Sequence, residues 1–173
     1  LAAYAVAREC GLGAQEAASA VSAAGQLSAH RMALTERSDG VTILDDAYNA
    51  SPESMKAAFR ALRAVADGGV TWAVVGEMRE MGDASLAAHE EIGIDAVRLG
   101  IDHLLVVGAG ARAAYVSAVR EGSWGDEAAF VATIDEARAF LADRVAPGDT
   151  VLVKGSNGTG LWRLADDLTK EAR

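Results

Sequence analysis

The feature that most constrains this chain is the alternation of short apolar runs with longer amphipathic segments from residue 45 onward. Four runs have the length and composition of buried parallel strands, namely residues 70–75, 104–107, 129–131 and 151–153. Three of them are followed at once by a glycine or a lysine–glycine pair. Continuous apolar runs of this length are typical of strands covered on both faces.

Helical patterns lie between these runs. Apolar residues recur at one-face spacing in the segments 55–66, 88–99, 137–145 and 161–168. Ser51 and Pro52 supply an N-cap and a first-turn proline for the first of these helices. Strands and helices that alternate in this way predict right-handed crossovers. We therefore expect an α/β, Rossmann-like fold with a mostly parallel, doubly wound sheet and helices on both faces.

The first 45 residues have a different pattern. Strand-like segments at 31–37 and 41–44 flank Ser38-Asp39-Gly40, and an Asp-Gly pair in that position predicts an N-terminal β-hairpin. Residues 1–25 are rich in alanine and predict two short helices. We place a domain boundary at 26–30, so that residues 1–27 are the remnant of a preceding domain and 28–173 form the main domain. The sequence begins with Leu1 and not with an initiator methionine, as expected of a fragment of a longer chain.

Composition excludes several classes of function. The chain has 16 basic and 25 acidic side chains, a net charge of −9, which argues against nucleic acid as its partner. No apolar run approaches the roughly 20 residues of a membrane span, so no membrane insertion is expected. Cys10 is the single cysteine and indicates a reducing, cytoplasmic compartment. The three histidines show no zinc-ligand spacing around it, so no metal site is predicted.

Ligands of such sheets bind at the carboxyl ends of the strands, and the segment 44–52 follows one of them. One of the two adjacent carboxylates of Asp45 and Asp46 could accept hydrogen bonds from ribose hydroxyls. The two side chains point to opposite faces if the strand persists, which argues against a pair that shares a proton. Asn49 can both donate and accept hydrogen bonds, as recognition of adenine requires. The alternative is that Asn, Ser and Pro in this segment only build a turn and a helix cap.

A charged loop, 76–83, follows the next predicted strand. Glu77 and Arg79 could clamp a charged substrate, and His89, one helical turn beyond Ser85, could face the same cleft. The alternative is a solvated loop with a surface histidine.

The turn after the strand 104–107 contains Gly108, Gly110 and Ala113 in the pattern G-x-G-x-x-A. This pattern places a pyrophosphate at a helix N-terminus in dinucleotide-binding folds. The acidic residue expected at the end of the next strand is missing, because Asp126 and Glu127 precede that strand. Small residues that allow a tight turn therefore explain the pattern better.

A fourth segment follows the last strand. Lys154, Ser156 and Thr159, with the intervening glycines, could form an anion cradle ahead of a helix. The alternative is a flexible glycine-rich loop. The phosphate-binding pattern G-x-x-x-x-G-K-[ST] occurs nowhere in the chain.

Taken together, these segments resemble the C-terminal part of a Mur ligase. The resemblance depends on Arg31-Met32, the string Asp45-Asp46-Ala47-Tyr48-Asn49-Ala50-Ser51-Pro52, Gly76-Glu77-Met78, Ser85 with His89, and Val153-Lys154-Gly155-Ser156. It covers the whole chain, and the long string is specific for the branch that adds D-alanyl-D-alanine to UDP-N-acetylmuramoyl-tripeptide.

The resemblance implies a three-domain, ATP-dependent amide ligase of peptidoglycan synthesis, of which this chain is the last domain. A central domain outside the chain would bind most of the ATP and Mg²⁺. The tripeptide carboxylate would be phosphorylated, and the amine of D-alanyl-D-alanine would attack the acyl phosphate. The other domains of the same protein would therefore be required partners, no catalytic residue is expected in this fragment, and the fragment alone is expected to be inactive.

By the same resemblance, Arg31 and Asp46 would hold the ribose and phosphates of ATP, with Asn49 near the base. The residues expected to contact the dipeptide or the tripeptide are Glu77, Arg79, His89, Lys154, Ser156 and Asn157. The family often has arginine where this chain has Asn157, which puts a direct carboxylate contact by this residue in doubt. Two other functions stay open from the residues alone, a free-standing dinucleotide-binding module and a non-catalytic α/β interaction domain.

Overall fold

The computed structural model describes residues 2–24, 28–122, 125 and 127–170. The strands are β1 (Ala33–Glu36), β2 (Thr42–Asp46), β3 (Thr71–Val75), β4 (His103–Val107), β5 (Ala128–Val131) and β6 (Thr150–Lys154). The helices are α1 (Ala2–Glu9), α2 (Ala14–Ala23), α3 (Pro52–Ala66), α4 (Ser85–Arg98), α5 (Arg112–Glu121), α6 (Ile134–Ala142) and α7 (Trp162–Lys170). Each predicted strand from β3 onward is found within one residue of its expected ends.

The six strands form one sheet in the order β1-β2-β6-β3-β4-β5. β1 pairs antiparallel with β2, and every other pair is parallel. The predicted hairpin is confirmed: Arg37 N donates to Val41 O at 2.8 Å, and Gly40 adopts φ +87°, which glycine tolerates without strain. The last strand, β6, therefore lies between β2 and β3 in the middle of the sheet.

The sheet is covered on both faces, as expected of a doubly wound fold. Residues of α3, α4 and α5 form one core layer with side chains such as Phe59 and Ile92. Residues of α6 and α7 form the other, with Leu141 and Leu164. All five residues of β3 and of β6 are buried, which explains why these strands are nearly continuous apolar runs. The predicted Rossmann-like α/β fold is confirmed.

The cap of α3 fixes the loop that follows β2. Ser51 Oγ accepts from Ser54 N at 3.3 Å, and Ser51 N donates to Ser54 Oγ at 2.9 Å. Pro52 occupies the first helical position, as predicted. Because the helix begins here, residues 47–50 are held as a short connection at the carboxyl edge of the sheet.

The two predicted N-terminal helices are present as α1 and α2, and they contact each other. Ala17 is the one buried residue described in the two helices. Residues 25–27, at the expected boundary, lie outside the described residues, so the division into 1–27 and 28–173 stays a prediction. Within the described ranges, no helix is both long and apolar enough to cross a membrane.

Candidate functional site

Five parallel strands end at the same edge of the sheet, and most of the residues that the sequence singled out lie at the ends of these strands or in the loops that follow them. These loops are residues 47–51, 76–84, 108–111, 132–133 and 155–161. The strand order brings the loop after β6 between those after β2 and β3. This edge therefore has two adjoining halves, one around β2 and β6 and the other around β3 and β6.

The first half is organised around Asp46, the last residue of β2. Its Oδ1 accepts from Met32 N at 3.1 Å, and its Oδ2 accepts from Lys154 Nζ at 2.5 Å. Lys154 Nζ also donates to the backbone oxygen of Asn49 at 2.9 Å. The structure thus brings together two of the three predicted nucleotide-binding residues, through a lysine of another strand.

Arg31 is exposed at the same edge. Its guanidinium lies over the ring of Tyr48, 3.9 Å from the ring centroid. The next residue, Met32, has φ +52° and donates its backbone N–H to Asp46. Arg31 and Asp46 are therefore on one surface, as a shared nucleotide pocket requires.

Asp45 lies on the opposite face of β2 from Asp46, as its position in the strand predicts. It is buried, and its Oδ2 accepts from His30 Nδ1 at 2.7 Å while its Oδ1 accepts from Ala47 N at 3.2 Å. The His30 ring lies 5.7 Å from that of Trp162, centroid to centroid. Asp45 thus holds the turn before β1 against α7.

A cleft of about 390 Å³ opens beside Arg31. It is lined by Ser28, Ala29, His30, Arg31, Tyr48, Asn157 and Trp162. Asn157, predicted to contact the substrate, lies here with Arg31. Aromatic faces beside a cation and an amide are suited to a planar, polar group such as a nucleobase.

The second half of the edge is tied together by Ser156. Its backbone N–H donates to Glu77 O at 3.0 Å, and its Oγ accepts from Arg79 N at 2.9 Å. Arg79 Nε lies 3.5 Å from Glu77 Oε2, with both side chains partly exposed. Three of the predicted substrate-binding residues are therefore in mutual contact.

Glycines allow these two charged side chains to lie close to the backbone of neighbouring loops. A Cβ atom on Gly158 would fall 2.2 Å from Arg79 Nη1, and one on Gly110 would fall 2.5 Å from Glu77 Cδ. A cavity of about 250 Å³ lies among them. A carboxylate and a guanidinium side by side at a cavity can bind a zwitterion, one charge each.

His89 is buried below this loop, and the alternative of a surface histidine is wrong. Its Nε2 accepts from Met78 N at 2.9 Å, and its Nδ1 donates to Ser85 O at 2.7 Å. Both ring nitrogens are occupied by backbone groups, so the ring positions the loop and does not face the cavity. Lys154 is equally withdrawn, with 2% of its surface exposed.

The glycines of the dinucleotide-like pattern have another role. Gly108 has φ +89° and begins the tight turn into α5. Gly110 faces the carboxylate of Glu77 at the place where the pattern would put a pyrophosphate. A carboxylate there repels an anion, so the small residues serve the turn and the packing of Glu77.

The residues that the structure describes form no all-protein metal cluster. No group of three or more histidine, cysteine, aspartate or glutamate side chains converges there on a point that could hold a metal ion.

Sequence reasoning gave no site role to Tyr48, His30 or Trp162. Tyr48 lies within the string that carries the family resemblance, yet its contact with Arg31 spans 17 residues and has no periodic signal. His30 precedes Arg31 and pairs with Asp45, which a search for oppositely charged neighbours of the two aspartates could have suggested. Nothing in the local sequence of Trp162 indicates that it lines the cleft.

Known proteins resemble this chain in sequence. Residues 30–157 match the family model described as Mur ligase, glutamate ligase domain. The UDP-N-acetylmuramoyl-tripeptide–D-alanyl-D-alanine ligase of Mycobacterium leprae is 46% identical over 97% of this chain and 35% of its own length. That of Mycobacterium tuberculosis is 45% identical over 99% of this chain and 37% of its own length.

Solved structures give the same result. MurF from Acinetobacter baumannii superposes with a TM-score of 0.80 at 27% identity, over 95% of this chain and 35% of that one. MurF ligase from Thermotoga maritima in complex with ADP gives 0.73 at 28% identity, over 97% of this chain and 36% of that one. The chain thus spans about a third of the length of these relatives. Because the family model matches residues 30–157 and these relatives match nearly the whole chain, the chain belongs to the Mur ligase family and corresponds to the C-terminal domain of its members.

Proposed function

We propose that this chain is the C-terminal part of an ATP-dependent ligase that joins D-alanyl-D-alanine to UDP-N-acetylmuramoyl-tripeptide. The observation that carries the proposal is the 46% identity to the Mycobacterium leprae enzyme of that name over 97% of the chain. The reaction belongs to the synthesis of peptidoglycan precursors, and we place it in the cytoplasm. The remaining domains of the same protein are its partners, and the proposal includes neither nucleic acid nor a membrane.

In this proposal the half-site around Asp46 binds the nucleotide. Asp46 accepts hydrogen bonds from the ribose hydroxyls, and Arg31, which stays over the ring of Tyr48, binds the phosphates. The base enters the cleft between Tyr48 and Trp162, near Asn49. Two observations support this assignment: Asp46 is anchored with its side chain still 15% exposed, and the cleft is the right size and polarity for a base.

The other half-site receives the amino substrate. D-Alanyl-D-alanine is a zwitterion. Glu77 and Arg79 present one charge of each sign at the cavity of about 250 Å³ between their loops. Ser156 holds both residues in place. Asn157 lines the cleft beside Arg31 instead, where it can hydrogen-bond without a charge. His89 does not contact the substrate directly; it accepts a hydrogen bond from the backbone N–H of Met78 and so positions the loop that carries Glu77 and Arg79.

The reaction that these contacts serve has two steps. The terminal carboxylate of the tripeptide takes the γ-phosphoryl group of ATP and ADP leaves. The free amine then attacks the carbonyl carbon of the acyl phosphate and expels phosphate, with loss of a proton. The residues of this chain orient the amine and help to close the site against water, which would otherwise hydrolyse the acyl phosphate. By the family resemblance, we assign Mg²⁺ and the triphosphate mainly to the other domains.

The chain alone is expected to show no ligase activity, since half of the nucleotide pocket would lie on those domains. In the full-length protein, Arg31→Ala and Asp46→Ala should each reduce phosphate release at least about tenfold, because each removes a charged contact to the nucleotide. Arg60→Ala, on the exposed side of α3, is the matched control. Unchanged turnover in Arg31→Ala and Asp46→Ala would overturn the assignment of the nucleotide site and favour a non-catalytic interaction domain.

Calorimetric titration of the isolated chain distinguishes the proposed function from the remaining alternative, a free-standing dinucleotide-binding module. The proposed half-pocket should give weak or no binding of ATP and of NAD. Tight binding of NAD would instead favour a dinucleotide-binding module.

A further inference from the structure

Lys154 is built into the middle of the sheet. It is the last residue of β6 and lies in register with Asp46 of β2 and Val75 of β3. Its side chain is 2% exposed, among the most buried large side chains of the described residues. An ammonium group so far from water is costly unless it is paired and hydrogen-bonded. Asp46 supplies the counter-charge at 2.5 Å, and the Asn49 carbonyl supplies a second acceptor at 2.9 Å.

This pairing leaves Lys154 poorly suited to bind a substrate anion directly, which is the role its sequence position suggests. To reach an anion at the rim, the ammonium would have to leave Asp46 and the carbonyl of Asn49. The Asp46 carboxylate, which is 15% exposed, would then lose its counter-charge, and the Asn49 carbonyl would lose a hydrogen bond, which is unfavourable. The function of Lys154 must therefore be exerted through its two partners.

Asp46 is oriented from two sides. Met32 N donates to Oδ1 and Lys154 Nζ donates to Oδ2, so the carboxylate cannot rotate without breaking one of these bonds. A carboxylate offers about four lone-pair positions, so acceptor positions remain on both oxygens. The carboxylate is thus fixed in place with capacity to accept two further hydroxyl groups.

We propose that Lys154 is a positioning residue for the nucleotide: it orients Asp46 toward the ribose hydroxyls and fixes the backbone at Asn49. The inference depends on the proposed function, because it takes Asp46 as the ribose acceptor. It adds a residue that contacts no substrate and that belongs to the strand preceding the amino-substrate loop. A fixed acceptor loses less entropy when the nucleotide binds than a mobile one would.

The test compares ATP with 2′,3′-dideoxy-ATP in the full-length ligase. The ratio of kcat/KM for the two nucleotides measures the ribose contacts alone, and we expect it to be about tenfold or more in the natural protein. Asp46→Asn and Lys154→Met should each bring the ratio close to one. A merely structural lysine would lower kcat/KM for both nucleotides equally and leave the ratio unchanged. Lys56→Met, which removes a half-buried lysine paired with Glu91 and Asp95, is the matched control and should keep the ratio of the natural protein.

The outcomes separate the two hypotheses. If Asp46→Asn lowers the ratio and Lys154→Met does not, the role of Lys154 is overturned while the ribose assignment stands. If the natural protein shows no preference for ATP, or if Asp46→Asn keeps it, the ribose assignment itself fails and the inference fails with it.

Loss of folding in Lys154→Met would not block the test. The double variant Asp46→Asn, Lys154→Met removes both charges, and replacing a buried ion pair as a whole is far better tolerated than removing one partner. Its ratio and its kcat/KM for ATP should equal those of Asp46→Asn, because Lys154 acts through Asp46. A further tenfold loss of kcat/KM for ATP in the double variant, relative to Asp46→Asn, would contradict the proposal.

Discussion

Gly110 lies against the carboxylate of Glu77, so closely that a Cβ atom on Gly110 would fall 2.5 Å from Cδ and 2.7 Å from Oε1 of Glu77. The glycine lets an acidic side chain from the loop after β3 rest on the turn after β4. Glu77 is thereby held 3.5 Å from Arg79, where the two charges face one cavity. The placement of this ion pair depends on the absence of a side chain one loop away.

Gly110→Ala should therefore displace Glu77 and, under the proposed function, raise the KM of the full-length protein for D-alanyl-D-alanine by about tenfold or more, because small misplacements of a binding group are costly. The KM for ATP should change little, since the nucleotide half-site is built from other loops. Steady-state kinetics with each substrate varied in turn checks both values. Gly13→Ala is the control, because its Cβ would meet only Glu16 atoms, at 4.0 Å. An unchanged KM for the dipeptide in Gly110→Ala would contradict the assigned role of Glu77.

The stacking of Arg31 on Tyr48 gives a second prediction. Tyr48→Leu removes the aromatic face and should raise the KM for ATP about twofold to fivefold, as expected for an exposed cation–π contact worth about 0.5–1 kcal/mol. Tyr48→Phe keeps the ring and should behave like the natural protein. Equal effects of the two substitutions would contradict a role for the ring, because only the leucine substitution removes it.

The fold could be predicted almost completely from the sequence because its signals are local. The apolar runs that became β3 to β6 have the length of buried strands, and the cap at Ser51 marks the start of α3 to the residue. The Asp-Gly turn at 39–40 likewise fixes the hairpin. Each of these signals lies within about five residues, so tertiary packing had little opportunity to override it.

The site could be predicted only in part, because its contacts join distant residues. Asp46 and Asn49 are recognisable as strand-end polar groups, yet their partner Lys154 follows them by more than 100 residues and meets them only when β6 inserts beside β2. The sequence therefore predicts Lys154 as an exposed cation that binds an anion, whereas in the structure it is buried and forms an ion pair with Asp46. His89 shows the same difference, since its i−4 neighbour Ser85 can be inferred from helical spacing, whereas its bond to Met78 N cannot.

His89 should contribute to stability through its bond to the Met78 N–H. His89→Leu keeps an apolar volume but leaves this buried donor without an acceptor, which should lower the free energy of unfolding by about 1–3 kcal/mol. His89→Gln can place its amide oxygen near the position of Nε2 and should lose clearly less. Urea unfolding of the isolated chain measures both values. Equal destabilisation by leucine and glutamine would show that the hydrogen bond to Met78 is not the source of the effect.

Asp102 should make the stability of the domain depend on acid pH. Burial raises the pKa of Asp102, but the hydroxyl and backbone N–H of Thr71 and the guanidinium of Arg63 outweigh it and bring the pKa below the ordinary 3.8. The Thr71 donors lie 2.6 and 2.9 Å from Asp102 Oδ2. A lowered pKa in the folded state means that the unfolded chain takes up the proton first. The stabilisation is therefore complete above the unfolded pKa, and it is lost as the pH falls through that value toward the folded pKa.

Two substitutions test this cause. Thr71→Val removes the hydroxyl donor, so the carboxyl pKa of Asp102, followed by NMR titration of the isolated chain, should move upward toward its ordinary value. Asp102→Asn removes the titrating group, so the free energy of unfolding should fall less steeply between pH 5 and about pH 3 than in the natural chain. Asp143→Asn, at the exposed end of α6, should leave this slope unchanged. If the free energy of unfolding of Asp102→Asn falls with pH as steeply as that of the natural chain, other carboxylates cause the acid sensitivity. The hydrogen bonds from Thr71 to Asp102 would then contribute no measurable stability.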